Sequence, residues 1–263
     1  DAATGYKIYV STHPYGFTNG IASAVTSHVF SSGLTHGQTY YFRVSATNAG
    51  GESFPTETLA VRYKANGTNP ILIVNGFDRL DRSMMIIEDD PHSAADLHRE
   101  YLDRMNTYAY TATAAKAIEA YGQFFDSCSN EAVQSGSVPL NHYQGVIWLL
   151  GEESEADLTF SIEEQSRVQT YLNNGGKIFV SGSEIAYELD FRNKGRTFYN
   201  SVLKAAFLGD DANTYTVQGS GGIFAGLGSL SFDSGSTIYN VDFPDQITAS
   251  SGGTACMTYV GGT

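Results

Sequence analysis

Charged side chains follow each of three apolar runs in the part of the chain after residue 70. The runs span residues 71–74, 146–150 and 177–180. Two carboxyl groups in different surroundings can act as general acid and general base, because their pKa values then differ. The sequence therefore predicts carboxylate chemistry close to a cationic side chain that would hold an anionic group or a sugar. The charged residues concerned are Asp78, Arg79, Glu152, Glu153 and Glu184.

These residues divide into two predicted roles. Asp78, Glu152 and Glu184 are the predicted catalytic residues. No metal ligand and no cofactor is predicted. An alternative interpretation stays open, in which Asp78 pairs with Arg79 while Glu152 and Glu184 cap the helices that follow them. The residues predicted to bind substrate are Asn75, Arg79, Arg104, Asn106, Glu153 and Ser183.

The apolar runs indicate how these side chains are positioned. Short continuous apolar runs bounded by glycine and polar residues are typical of strands buried on both faces. If the strands are parallel, their carboxyl ends share one edge of the sheet, where ligands bind in open α/β folds. Predicted helices alternate with these strands. Helical spacing over 110–121 precedes the second strand, a capping box at Ser161–Glu164 begins a helix before the third, and a helix at 196–207 follows it. This order predicts a doubly wound, mostly parallel α/β sheet that the tail from residue 214 extends at an edge.

The first 64 residues follow a different pattern. Alternation over 40–46 places Tyr40, Phe42, Val44 and Ala46 on the apolar face of a strand. Short strands with this spacing predict an antiparallel sandwich. We therefore expect a multidomain chain, with an all-β sandwich at 1–64, a linker at 65–70 and the α/β domain at 71–263.

The sandwich segment carries a family pattern. Leu-x-x-Gly-x-x-Tyr-x-Phe-x-Val-x-Ala spans residues 34–46, and Asn-Ala-Gly-Gly-Glu-Ser follows at 48–53. This segment resembles a fibronectin type III domain from its third strand onward. The resemblance implies a partial immunoglobulin-like sandwich that acts as a spacer, with further domains of the same polypeptide beside it.

The second domain carries a second resemblance, on residues 74–82, 129–133, 148–154 and 175–185. These segments resemble a class I glutamine amidotransferase-like, flavodoxin-like module of secreted bacterial proteins labelled xanthan lyase, peptidoglycan amidase or golvesin-domain protein. Such an amidotransferase would place cysteine in a Gly-x-Cys-x-Gly turn and supply a later histidine. Here the turn ends in Ser-Gly-Ser-Glu, and no histidine follows residue 142. A serine without a reachable base is a weak nucleophile, so we do not predict triad chemistry.

Composition limits the partners. The chain has 263 residues, a formal net charge of −13 and a pI near 4.7. Nucleic-acid binding requires clustered basic side chains, so we exclude it. No apolar run reaches the roughly 20 residues of a membrane-spanning helix, so no membrane span is expected.

Two cysteines, Cys128 and Cys256, could be separate thiols or one disulfide. The acidic segments at 88–98 and 210–213 are interpreted as loops, and metal binding is the alternative for each.

The sequence thus predicts an accessory region of a secreted or cell-surface bacterial protein that acts on polysaccharide or peptidoglycan. A carbohydrate-binding cleft would lie at the carboxyl ends of the strands. The alternative is a glycan hydrolase or lyase whose acid and base are the carboxylates there.

Overall fold

The computed structural model describes residues 2–77, 79, 81–99, 109–154, 157–232, 241 and 243–262. Asp78, Arg104 and Asn106 lie outside the described residues. The strands, in chain order, are β1 (Gly5–Ser11), β2 (Ile21–Ser23), β3 (Thr39–Asn48), β4 (Gly51–Glu52), β5 (Leu59–Arg62), β6 (Ile71–Asn75), β7 (Ile86–Asp89), β8 (Asp96–Arg99), β9 (Phe125–Ser129), β10 (Gly145–Gly151), β11 (Ile178–Gly182), β12 (Ala205–Gly209), β13 (Thr216–Gly219), β14 (Leu230–Ser231), β15 (Gln246–Ala249) and β16 (Met257–Tyr259).

Helices are fewer than strands. The α-helices are α1 (Tyr110–Ala120), α2 (Asn130–Gln134) and α3 (Ile162–Asn173). Two π-helices follow, the first at Tyr187–Phe191 and the second at Phe198–Val202. Short 3-10 helices lie at Arg82–Met84, Leu140–His142 and Gly222–Phe224.

The chain forms two compact units. Unit 1 comprises Asp1–Gly76, Tyr108–Leu149 and Thr170–Val180. Unit 2 comprises Phe77–Thr107, Leu150–Gln169 and Ser181–Thr263. The domain boundaries expected from the sequence, 1–64, 65–70 and 71–263, stay a prediction.

Unit 1 begins with one antiparallel sheet. Its strand order is β2-β1-β3-β4, and β5 pairs with the other end of β3. Among the described residues of this segment, no second sheet faces it, so the predicted sandwich is wrong. The sheet instead shares a core with α1, β6 and β9, made of Tyr41, Ala60, Ile73, Ala112, Ala115, Ile118 and Phe125.

Burial along β3 does not follow the predicted apolar face. Tyr40 of that face is buried but Phe42, Val44 and Ala46 are only half-buried, whereas Tyr41 and Ser45 of the opposite face are buried. The small residues Ala112 and Ala115 on α1 allow the helix to approach Tyr41 closely. The face of Tyr41 therefore packs in a core shared with a helix, which the sandwich prediction did not include.

A four-stranded parallel sheet contains the three apolar runs. Its order is β11-β10-β6-β9, with β6 paired in parallel to both β10 and β9. Leu72, Ile73 and Val74 of the central strand are fully buried. Burial alternates along β10, and Phe179 on the edge strand β11 is half exposed. The prediction that the strands are buried on both faces is thus confirmed for β6, and it is wrong for the edge strand β11.

The remaining sheets are small. Unit 2 contains the antiparallel pairs β7-β8 and β12-β15 and the three-stranded sheet β14-β13-β16. The described strands of the tail pair with one another or with β12, and none of them joins the parallel sheet, so the prediction that the tail extends that sheet is wrong. The helix predicted at 196–207 ends early, because Phe207 belongs to β12.

The predicted fold class is consequently wrong as a whole. One parallel sheet of four strands accompanies several small antiparallel sheets, which is neither an independent sandwich nor a doubly wound domain. None of the helices among the described residues is both long enough and apolar enough to cross a membrane.

Local helix signals were more reliable. The predicted helix at 110–121 is confirmed as α1, and the capping box is confirmed at the start of α3. There the Ser161 N–H donates to Glu164 Oε2 at 2.7 Å, and the Glu164 N–H donates to Ser161 Oγ at 3.3 Å. Both signals depend only on neighbouring residues, so distant packing does not override them.

Gly151 ends β10 where no larger residue fits. Its φ is +49°, and a Cβ atom built there would lie 2.0 Å from Cδ1 of the fully buried Phe77. Gly122, after α1, also has a positive φ of +75°, but nothing lies within 4 Å of its Cβ position.

Gly151→Ala should therefore lower the free energy of unfolding by about 2–4 kcal/mol, because it combines overpacking with a left-handed alanine. The matched control Gly122→Ala should cost about 1 kcal/mol, from backbone conformation alone. Urea unfolding followed by circular dichroism measures both. Equal losses in the two variants would contradict the close packing of Phe77 on Gly151.

Candidate functional site

Arg79 joins the segments that follow β6 and β10. Its backbone N–H donates to Glu153 Oε2 at 3.2 Å, and its Nη1 donates to the Glu152 carbonyl oxygen at 3.1 Å. Its Nε forms an ion pair with Asp81 Oδ2 at 2.7 Å. The guanidinium is mostly buried, so these bonds hold two loops of unit 2 together.

Glu153 is deeply buried, with only 3% of its surface exposed. A buried carboxylate requires hydrogen-bond donors, and the Arg79 N–H is one of them. Arg79 and Glu153 thus have structural roles in these loops. Their predicted substrate contacts, and the catalytic role of the half-buried Glu152, stay predictions. Asn75 is buried at the end of β6 in unit 1.

The turn after β11 is tied to the end of β10. Both the backbone N–H and the Oγ–H of Ser183 donate to the Gly151 carbonyl oxygen, at 2.7 and 3.2 Å. Glu184 follows with a φ of +62°, in the left-handed region that few residues other than glycine adopt. Such strain occurs where the surrounding structure holds a residue in place. The turn thus presents Glu184 between a strand and the first π-helix.

Glu184 belongs to a cluster of three carboxyl groups, which we call the acidic cluster. It consists of Glu184, Asp210 and Asp245, and one carboxylate oxygen from each lies within 4.8 Å of the others. Asp210 follows β12, and Asp245 precedes β15. The antiparallel pairing of β12 with β15 brings these two together. The cluster includes neither Glu152 nor Glu153.

Asp245 anchors the acidic cluster to the first π-helix. Its Oδ2 accepts the N–H groups of Ala186 and Tyr187, both at 3.0 Å. Its Oδ1 is buried and has no hydrogen-bond partner among the described residues. A residue from the tail of the chain therefore caps the start of this helix. The alternative interpretation, in which Glu184 caps it, stays a prediction.

The surroundings of Asp245 change its acidity. Burial raises the pKa of its carboxyl group to about 6, the two N–H bonds oppose this effect, and the negative charge of Asp210 adds to it. A carboxyl group with a pKa near neutrality exchanges protons readily, which suits a general acid. The cluster thus combines a weak acid with two further carboxyl groups.

The acidic cluster also fits a divalent cation. Calcium binds carboxylate oxygens at about 2.3–2.6 Å, so three oxygens within 4.8 Å of one another can share one ion. Among the described residues, this is the only group of three potential ligands that meets this criterion. The expected absence of a metal stays a prediction.

An aromatic cluster lies on the elements that carry the acidic cluster. The rings of Tyr187 and Phe191 stack with centroids 5.2 Å apart, and Phe207 of β12 lies 5.2 Å from Phe191. Phe191 is more than half exposed. Tyr187 also donates its backbone N–H to Asp245, so the residue whose ring stacks on Phe191 is bonded through its backbone to the acidic cluster.

Comparison of the chain with protein-family models, with curated proteins and with solved structures gives no match. Both family resemblances drawn from the sequence therefore stay predictions.

Sequence reasoning missed Asp245. The acidic loop at 210–213 and Glu184 were both noticed, but nothing in the sequence connects either with a single aspartate 35 residues after Asp210. It also missed Glu188, which is fully buried and accepts hydrogen bonds from the Thr159 N–H and hydroxyl. The local signal is a glutamate between Tyr187 and Leu189 in the first π-helix.

Two other candidate groups have simpler roles. The acidic segment at 88–98 forms the β7-β8 hairpin, in which Arg99 pairs with Glu88 at 2.9 Å and Asp90 accepts the Ser93 hydroxyl in the turn. Cys128 and Cys256 are both free thiols. Burial raises the pKa of Cys128 to about 12, so it is not a nucleophile at neutral pH.

The raised pKa of Asp245 predicts a pH-dependent stability. The unfolded aspartate has a pKa near 3.8 and the folded one a pKa of about 6, so the folded protein binds more protons between these values. Stability from this group is complete below pH 3.8 and falls as the pH rises through 6. Asp245→Asn keeps an oxygen acceptor and removes the charge. It should therefore gain about 1–3 kcal/mol over wild type at pH 7.5, and little at pH 4.

Urea unfolding of wild type and variant at several pH values measures this difference. The exposed Asp157 provides the control, since Asp157→Asn should show no such trend. A wild-type minus variant difference that stays constant with pH would contradict the burial of the Asp245 carboxyl group.

Proposed function

We propose that this chain is an accessory region of a secreted bacterial protein that acts on polysaccharide or peptidoglycan, and that the acidic cluster binds carbohydrate. The observation that carries the proposal is the approach of three carboxyl groups within 4.8 Å of one another. The helix that Asp245 caps also carries Tyr187, whose ring stacks on the exposed ring of Phe191. Carboxylate oxygens accept charge-assisted hydrogen bonds from sugar hydroxyls. Aromatic side chains offer apolar area with little loss of side-chain entropy, and this suits the C–H face of a sugar ring.

The negative charge of the acidic cluster limits which glycans it can bind. Three carboxyl groups repel an acidic polysaccharide, and the chain as a whole carries a net charge of −13. A neutral sugar, or an amino sugar with a cationic group, binds without that repulsion. An acidic glycan would need a divalent cation to bridge it to the acidic cluster.

A glycan hydrolase or lyase is the second candidate function. It is favoured by the pKa of Asp245, which is raised to about 6, next to two other carboxyl groups. Carboxyl pairs with separated pKa values are the usual acid and base in glycoside cleavage. In this mechanism protonated Asp245 donates a proton to the leaving oxygen, while Glu184 or Asp210 stabilises the developing positive charge or activates water.

Binding to insoluble peptidoglycan and to neutral and acidic polysaccharides tests the first proposal. Asp210→Asn should weaken binding about tenfold or more, because a lost charge-assisted hydrogen bond is worth about 1.5–3 kcal/mol. Asp157→Asn is the matched control and should bind like wild type. The proposal fails if wild type binds none of these glycans, or if Asp210→Asn leaves binding unchanged.

Release of reducing ends or unsaturated sugars separates the two candidate functions. Product from wild type that disappears in Asp245→Asn would establish the enzyme. Binding without product, with and without added calcium, would support the accessory role.

A further inference from the structure

Unit 1 contains a cavity of about 400 Å³ that is unrelated to the acidic cluster of unit 2. The connection that follows β5 forms one wall, and residues at β9 and just before β10 form another. Volumes of this size lie in the range that small-molecule sites occupy. The side chains that matter for its chemistry are Tyr63, Lys64, Asn69, Asp126 and Tyr143.

Asn69 leaves an acceptor without a partner beside the cavity. Its Nδ2 donates to the Phe125 carbonyl oxygen at 2.9 Å and to Asp126 Oδ1 at 2.6 Å. Only 8% of its surface is exposed, and its buried Oδ1 has no hydrogen-bond partner in the part of the chain that the structure describes. Buried polar atoms normally find partners, so Asn69 holds an unused acceptor in the wall of the cavity.

The two charged groups of the cavity are already partly compensated. Asp126 accepts Asn69 on one oxygen and the Tyr143 hydroxyl on the other, at 3.1 Å, and each oxygen has a further lone pair. Lys64 donates to the Thr68 carbonyl oxygen at 3.1 Å and retains two N–H donors. Neither charge needs an ionic partner, although both can still form hydrogen bonds.

We propose that this cavity binds one pyranose unit of a neutral sugar. Each sugar hydroxyl both donates and accepts, which matches the acceptors on Asn69 and Asp126 and the donor on Lys64. Tyr63 and Tyr143 also line the cavity and contribute ring surface for the C–H face of the sugar. This sugar site is separate from the acidic cluster, and its biological role rests on the proposed function.

Titration of the full chain with methyl glucoside, methyl mannoside, N-acetylglucosamine and alanine, followed by saturation-transfer NMR, tests the proposal. Lys64→Met removes the donor, and Thr68→Trp places a bulky ring on an exposed position that lines the cavity. The control is Lys116→Met. Lys64 Nζ lies over the Phe124 ring at 5.5 Å, and Lys116 Nζ lies in the same way over the Tyr15 ring at 5.4 Å.

We expect at least one sugar to bind, with affinity reduced tenfold or more in Lys64→Met and Thr68→Trp and changed less than twofold in Lys116→Met. The proposal is overturned if no sugar binds wild type, if both cavity variants bind as wild type does, or if alanine binds and the sugars do not. Asp210→Asn separates the two sites, because it should weaken polymer binding through the acidic cluster and leave binding of the monosaccharide unchanged.

Discussion

The candidate site of unit 2 depends on the buried carboxyl group of Asp245. It accepts two backbone N–H groups at the start of the first π-helix and so fixes that helix to the tail of the chain. The same position buries it, which raises its pKa, and the negative charge of Asp210 adds to this effect. It also brings Asp245 close to Glu184. A carboxyl group kept at such a position lowers stability at neutral pH, and the arrangement is consistent with a role in binding or catalysis.

The partners of Asp245 are held in place by a second contact, at the end of β10. Gly151 allows the Phe77 ring to lie against its backbone, and its carbonyl oxygen accepts both donors of Ser183. Ser183 thereby sets the path of the turn that gives Glu184 its left-handed conformation. The β12-β15 pair then brings Asp210 and Asp245 to the same place. Short local contacts therefore assemble three carboxyl groups from distant parts of the sequence.

Signals that depend on neighbouring residues predicted structure well. The period of α1, the reciprocal bonds of Ser161 and Glu164, and the apolar runs of β6 and β10 all require only a short window of sequence. The predicted fold class is wrong because fold class depends on which elements cover each face of a sheet. Alternation in β3 does not show what covers each face. Tyr40 of the predicted apolar face is buried, and Tyr41 of the opposite face shares a core with Ala112 and Ala115 of α1. The site was half predicted for the same reason: Glu184 follows an apolar run, whereas Asp245 reaches it only through the pairing of β12 with β15.

The most direct test of this account is the titration of the Asp245 carboxyl carbon, followed by carbon-13 NMR in wild type and in Asp210→Asn. The account predicts a midpoint near pH 6 in wild type and a lower midpoint in the variant, because the neighbouring negative charge is removed. A midpoint near the ordinary value of 3.8 in wild type would contradict the buried acidic cluster on which the proposed function rests.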